Sequence, residues 1–179
     1  MDATKAFNIL EALEAGELDY IDEYKKYVDG HKERVKKFAG WLKTNCPELF
    51  ENVDIELFDN LIEEHDQSKY SEEELEPYAR KWIKKEQNPV GYSEAWDHHW
   101  LTNEHHPEHW LGEDMPYIYI LEMICDWGSF SIEQEDFNEL SSFYYDKARD
   151  DEEKNLSDNT KEYIEEILDL IKERADGDN

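Results

Sequence analysis

"ELDYIDEYKKYVDGHKERVKKFAGWLKTN", residues 17–45, decides the fold class. Tyr20, Ile21, Tyr24, Tyr27, Val28, His31, Val35, Phe38, Trp41 and Leu42 recur at spacings of three and four. That is the period of one helix face, not the alternation of a strand. His31 shares the apolar stripe. Gly30 just before it reads either as a tolerated surface glycine or as a place of close backbone approach.

The same period continues outward. "VDIELFDNLIEEHDQSKY" (53–70) carries Ile55, Phe58, Leu61, Ile62 and His65 on one face, with His65 near the helix C-terminus. Ser71 and Glu74 have capping-box spacing, predicting a helix to about Lys85. "QNPVGYS" is a loop, and another helix begins near Ser93. "EDMPYIYILEMICDWGSF" (113–130) offers Asp114 as a cap and Pro116 near the first helical position. It is apolar almost all round, the mark of a central helix. Ser131 and Gln134 form another candidate box, leading into a helix with Phe137, Leu140, Phe143 and Tyr144. Residues 146–153 read as a loop. A last amphipathic helix carries Tyr163, Ile164, Ile167, Leu168 and Ile171, and "ADGDN" as a frayed tail. The expectation is an all-α, single-domain helical bundle over residues 1–179, with 1–15 and 175–179 peripheral.

Six Trp, eleven Tyr and seven Phe argue for a folded chain rather than a disordered one. The net charge of −28 argues against binding to nucleic acid or anionic membranes through a general basic surface. It leaves a solvated acidic surface or mimicry of a polyanion; Lys outnumbering Arg speaks against salt adaptation. Cys46 and Cys125 make no disulfide framework, and Cys125 in its apolar run reads as a buried thiol. The opening "MDATKAFNIL" is not a signal peptide, and no apolar run approaches the ~20 residues of a membrane span. A cytoplasmic protein is expected, with exposed faces of the first helices able to pair in a homodimer.

Chemistry concentrates in a few residues. Asp126 lies in the most apolar helix, with Glu122 one turn earlier on the same side. Two carboxylates there call for a cation, and a metal ion answers. His31, His65, Asp66 and Asp126 would bring imidazole and carboxylate ligands from different helices, a mixed N/O set suited to Fe, Mn, Zn, Ni or Co. "AWDHHWLTNEHHPEHW" (95–110) holds five of the seven histidines. As a helix it would align His99 and His106 on one face and His98, His105 and His109 beside them, with a break around Asn103 to His105 imposed by Pro107. A zinc finger would need cysteines at short spacing, which are absent. Interleaved Tyr92, Trp96, Trp100 and Trp110 suggest a walled pocket.

The ordered set His31, "HDQSK" (65–69) and Asp126 resembles the HD-domain superfamily of metal-dependent phosphohydrolases, over roughly residues 24–130. Over most of the chain, "HDQSK", "HHWLTNEHHPEH" and "EMICDW" are similar to the HDxSK, HHxxxNxHHPEH and EMxCDW elements of an uncharacterised bacterial and phage family. The resemblance implies an HD-like helical fold and one or two divalent transition-metal ions. It assigns His31, His65, Asp66 and Asp126 as ligands. His99 and His106 become candidates for a second ion, with His98 and His105 as alternatives. It implies that Asp66 bridges ions or orients water, that Glu122 supports the site, and that Lys69 meets an anionic substrate. His98, Asn103 and His105 would donate to phosphate oxygens, and Arg80, Lys81, Lys84 and Lys85 would extend a positive rim.

The expected function is a metal-dependent phosphohydrolase acting on a small phosphorylated molecule such as a nucleotide. Two alternatives are carried: an HD-type di-iron oxygenase, and a non-enzymatic acidic protein that binds partners by imitating nucleic acid.

Overall fold

The computed structural model describes residues 3–133 and 137–177, with side chains from Asp19 onward. Among these residues the chain is all-α. Its helices are α1 (Ala3–Asn45), α2 (Ile55–Glu64), α3 (Leu75–Trp82), α4 (Tyr92–Thr102), α5 (Tyr117–Gly128), α6 (Asn138–Phe143) and α7 (Asp158–Gly177), and no strand is present. None of the described helices is long and apolar enough to cross a membrane. Contacts gather into two compact units: residues up to 30 with 67–99, and residues 31–66 with 100 onward.

In the first unit, Tyr20, Tyr24 and Val28 of α1 pack with Tyr78 and Ala79 of α3. Tyr27, although on the expected stripe, is 49 % exposed, because Val28 takes the inner position beside it. The capping box does not form. Glu74 is fully buried and gives its carboxylate to histidines of α4, while the Ser71 hydroxyl is buried without a hydrogen bond. α3 also ends at Trp82, short of the expected Lys85, which has turned to a left-handed φ of 59°.

The second unit carries the larger core. Val35, Phe38 and Leu42 of α1 meet Phe58 and Ile62 of α2, Ile120, Leu121 and Ile124 of α5, and Ile164, Ile167 and Ile171 of α7. Burying each such side chain fully contributes about 1.5–3 kcal/mol. α5 is the buried helix its composition predicts. Its cap is Pro116, however, and Asp114 instead accepts hydrogen bonds from Ser157 (2.7 Å) and Asn159 (3.2 Å). Gly128, at the end of α5, faces Phe38: a Cβ there would lie 2.4 Å from the ring. Only a residue without a side chain permits this approach of α5 to α1.

Two boundaries differ from expectation. α6 runs on through a π turn at Tyr144–Ala148, since Tyr144 and Ala148 are both buried, so the charged loop starts later than residue 146. α7 stays helical to Gly177, which takes most of the expected frayed tail into the helix. Gln134 and residues 178–179 lie outside the described residues. Both cysteines are buried and free, and burial pushes their thiols up, Cys46 to about 11, so neither is a nucleophile.

Candidate metal centre

Four side chains of the second unit converge. His31 comes from α1, one turn before Val35. His65 caps the C-terminus of α2, where the chain leaves the helix with ψ of 130°. Asp66 follows at φ 58°, in the left-handed region. This conformation costs a non-glycine residue about 1 kcal/mol or more and persists where surrounding structure enforces it. It lets two consecutive side chains, His65 and Asp66, reach the same point. Asp126 comes from α5.

His31 Nε2 lies 3.0 Å from Asp126 Oδ1 and 3.3 Å from Asp66 Oδ2. His65 Nε2 lies 3.6 Å from Asp66 Oδ2 and 3.8 Å from Asp126 Oδ1. His65 Nε2 is buried and makes no hydrogen bond. A transition metal with ligand distances of about 2.0–2.2 Å sets neighbouring ligand atoms about 3.0–3.4 Å apart. The two imidazoles and two carboxylates therefore fit a divalent ion, and the solitary nitrogen of His65 is what such an ion would satisfy.

A surrounding layer fixes these ligands. Glu122 Oε1 lies 3.0 Å from His65 Nδ1 and 3.2 Å from His105 Nδ1. Ser129, fully buried at the end of α5, places Oγ 3.3 Å from His31 Nδ1. With Nδ1 engaged, both His31 and His65 turn Nε2 inward, the arrangement in which an outer partner sets the ring's tautomer. Phe130 stacks on His31 with ring centroids 5.6 Å apart.

Charge follows from this packing. Burial would lower the His65 imidazole, but the carboxylates of Asp66, Asp126 and Glu122 outweigh it and lift it to about 10. His31 is raised in the same way: burial opposes, and Asp126 and Asp66 win. Burial would raise Asp126 and Glu122; the facing histidines instead hold both below the usual carboxylate range, Asp126 well below. The cluster thus demands positive charge at its centre.

Asp66, His105 and His106 bring one ligand atom each to within 4.8 Å of one another, so Asp66 belongs to two ligand groups. Proline explains why His105 joins. α4 ends at Thr102, as Pro107 predicts, and His106 has an extended backbone with ψ of 125°. Off the helix, the position of His106 is set by this extended backbone and no longer by helical three-four spacing. His105, expected on the substrate or as an alternative ligand, is buried among the ligand-bearing residues, its ring 4.3 Å from that of His65. His106 is lowered by burial and by neighbouring His105.

The first unit holds its own buried pair. Glu74 accepts from His98 Nδ1 at 2.7 Å and His99 Nδ1 at 2.9 Å, and Ser68 Oγ lies 3.2 Å from His99. Lys69 sits half-buried on a 3-10 turn, Gln67–Tyr70. The expected positive rim is largely engaged elsewhere: Arg80 pairs with Glu86 and Glu76, Lys81 donates to the Gln87 carbonyl, and Lys84 lies 3.7 Å over the Tyr20 ring. Asn103 gives its carbonyl to the His106 amide, and His109 packs on Trp110 with Nδ1 3.2 Å from the Trp100 carbonyl. Glu74 and Ser129 were missed by sequence reasoning. Glu74 was masked by its capping-box position, and Ser129 carries no signal beyond standing three residues after Asp126.

Fold and site define an all-α protein with a buried histidine–carboxylate centre. Residues 20–170 match the model of a family of unknown function, DUF5662, and the chain belongs to that family. No curated protein and no solved structure matches it.

Proposed function

We propose that this protein is an HD-type, metal-dependent phosphohydrolase acting on a small phosphorylated molecule, a nucleotide being the expected substrate. One observation carries the reading: the convergence of His31, His65, Asp66 and Asp126, with His65 Nε2 buried and lacking a hydrogen bond. These four residues would hold the ion, drawn from Fe, Mn, Zn, Ni or Co. Such an ion supplies Lewis acidity toward a phosphoryl oxygen and makes water more acidic.

The chain's own groups do the rest. Glu122 and Ser129 keep the histidine rings turned inward. Lys69, three residues along the chain from Asp66, is the ammonium we assign to phosphoryl oxygens. Asp66, shared by both ligand groups, orients the attacking water.

The test is elemental analysis of untagged protein beside Asp66→Ala and Asp66→Asn, followed by a phosphomonoester screen. Near-stoichiometric metal and phosphate release in the parent, both lost in the variants with helicity intact, are expected. Full turnover in a metal-free Asp66→Ala protein, or no metal after reconstitution, would overturn the reading. The second ligand group of Asp66, His105 and His106 favours one alternative, a di-iron oxygenase. Two equivalents of iron, visible absorbance and oxygen consumption would replace the hydrolase with it.

A further inference from the structure

Beside the candidate metal centre, in the same unit, lies a cavity of about 190 Å³ walled by Trp127, Phe130, Leu140 and Phe143, with Ser131 and Glu139 as its polar positions. Phe130 belongs to both places. Its ring stacks on His31, whose Nε2 faces Asp126 and Asp66, yet it is 58 % exposed. One face of the ring is thus held by a site residue while the rest stays open to stack on a ligand.

We propose that this cavity is the substrate's specificity subsite and takes a planar, uncharged aromatic group, while the phosphoryl group stays on the His31 side of Phe130. The inference rests on the phosphohydrolase reading and adds the class of ester it selects.

Shape supports a planar occupant. Three of the walls are rings, and Trp127 and Phe143 meet edge to face at 5.2 Å, which fixes the orientation of that wall. Pockets that enclose whole drug-sized ligands run to about 300–1,000 Å³. At 190 Å³ the cavity accommodates one ring system rather than an entire phosphorylated molecule. Polarity sets the direction of entry: the Glu139 carboxylate repels a phosphoryl group but accepts from an N–H on a ring edge. The backbone agrees. α6 passes from Phe143 into the π turn Tyr144–Ala148, a distortion frequent at functional sites, and this turn holds Tyr144 6.4 Å from Trp127.

Calorimetric titration of the full chain with Mn²⁺ present, using 1-naphthylphosphonate, phenylphosphonate and methylphosphonate, tests the subsite without requiring turnover. The naphthyl compound is expected to bind about tenfold or more tighter than the methyl compound. Phe143→Ala, which leaves the His31 stack alone, should remove about three- to tenfold of that preference while metal content stays at the parent level, and Phe130→Ala should remove about as much of the preference. Equal affinities for the three phosphonates, no binding of any, or a preference that survives both substitutions would each overturn the subsite. If the preference appears and falls in the variants while no phosphomonoester is hydrolysed, the hydrolase reading fails and the aromatic subsite stands.

Discussion

Replacing Gly128 by Ala places a methyl group 2.4–2.6 Å from three atoms of the Phe38 ring. Carbon atoms in contact settle about 3.5–4.0 Å apart, so ring or helix must retreat by about 1 Å. Neither has room. Phe38 is fully buried, with the rings of Phe137 and Trp41 centred 5.5 and 6.0 Å away. Overpacking of this kind costs about 1–3 kcal/mol, and the better helix propensity of Ala returns about 0.5–1 kcal/mol of it. The net loss is up to about 2.5 kcal/mol, and for a chain of this size each kcal/mol moves Tm by about 2–4 °C, so Gly128→Ala should melt lower by up to about 10 °C. Gly40→Ala supplies the opposite case. It sits in the interior of α1 with nothing within 4 Å of an added Cβ, and should melt about 1–4 °C higher. Far-UV circular dichroism of the three proteins decides. Gly128 lies two residues after Asp126, and Phe38 two turns after His31, so the same approach brings two ligand-bearing helices together. Weaker metal retention should accompany the lower Tm. A Gly128→Ala protein melting at or above the parent, or Gly40→Ala falling as far, would refute the argument.

Glu122→Gln keeps the shape but loses the charge that engages His65 and His105, and should weaken metal affinity about 10- to 100-fold in a competition titration while the fold persists. Glu108 contributes to acid stability. Burial would raise its carboxyl, but the His106 ring nitrogen 3.6 Å away and the Lys154 ammonium 3.0 Å away bring it down to about 2. Because the folded value lies below the ordinary one, its contribution of about 3 kcal/mol is present above pH 4.5 and is lost as pH falls toward 2. Lys154→Met should flatten that part of a stability-versus-pH curve, and an unchanged acid limb would contradict it. Ser71→Ala should change stability by less than about 0.5 kcal/mol, since its buried hydroxyl makes no hydrogen bond; a loss of about 1 kcal/mol in urea unfolding would mean the cap exists after all.

Much of the helical framework was legible in the sequence. The stripe Tyr20, Tyr24, Val28, His31, Val35, Phe38 and Leu42 is buried as its spacing predicts, and α5 is the central helix its composition demands. His65 at the end of α2 and the break of α4 before Pro107 were also readable. Each of these follows from local rules: a helix period acts over a few residues, and proline acts on its immediate neighbours. Partner choice was another matter. Ser71 and Glu74 have the spacing of a cap, yet burial of Glu74 against His98 and His99 gave its carboxylate stronger partners than a backbone amide. The left-handed backbone at Asp66 had no glycine to announce it. By itself, then, the sequence determined where the helices run, which faces turn inward, and which acids and histidines are available. Tertiary structure alone decided that His105 shares Glu122 with His65, and that Ser129 supports His31. Those contacts join residues 57 and 98 positions apart, where no local periodicity reaches and only the packing of α1, α2 and α5 sets the distances.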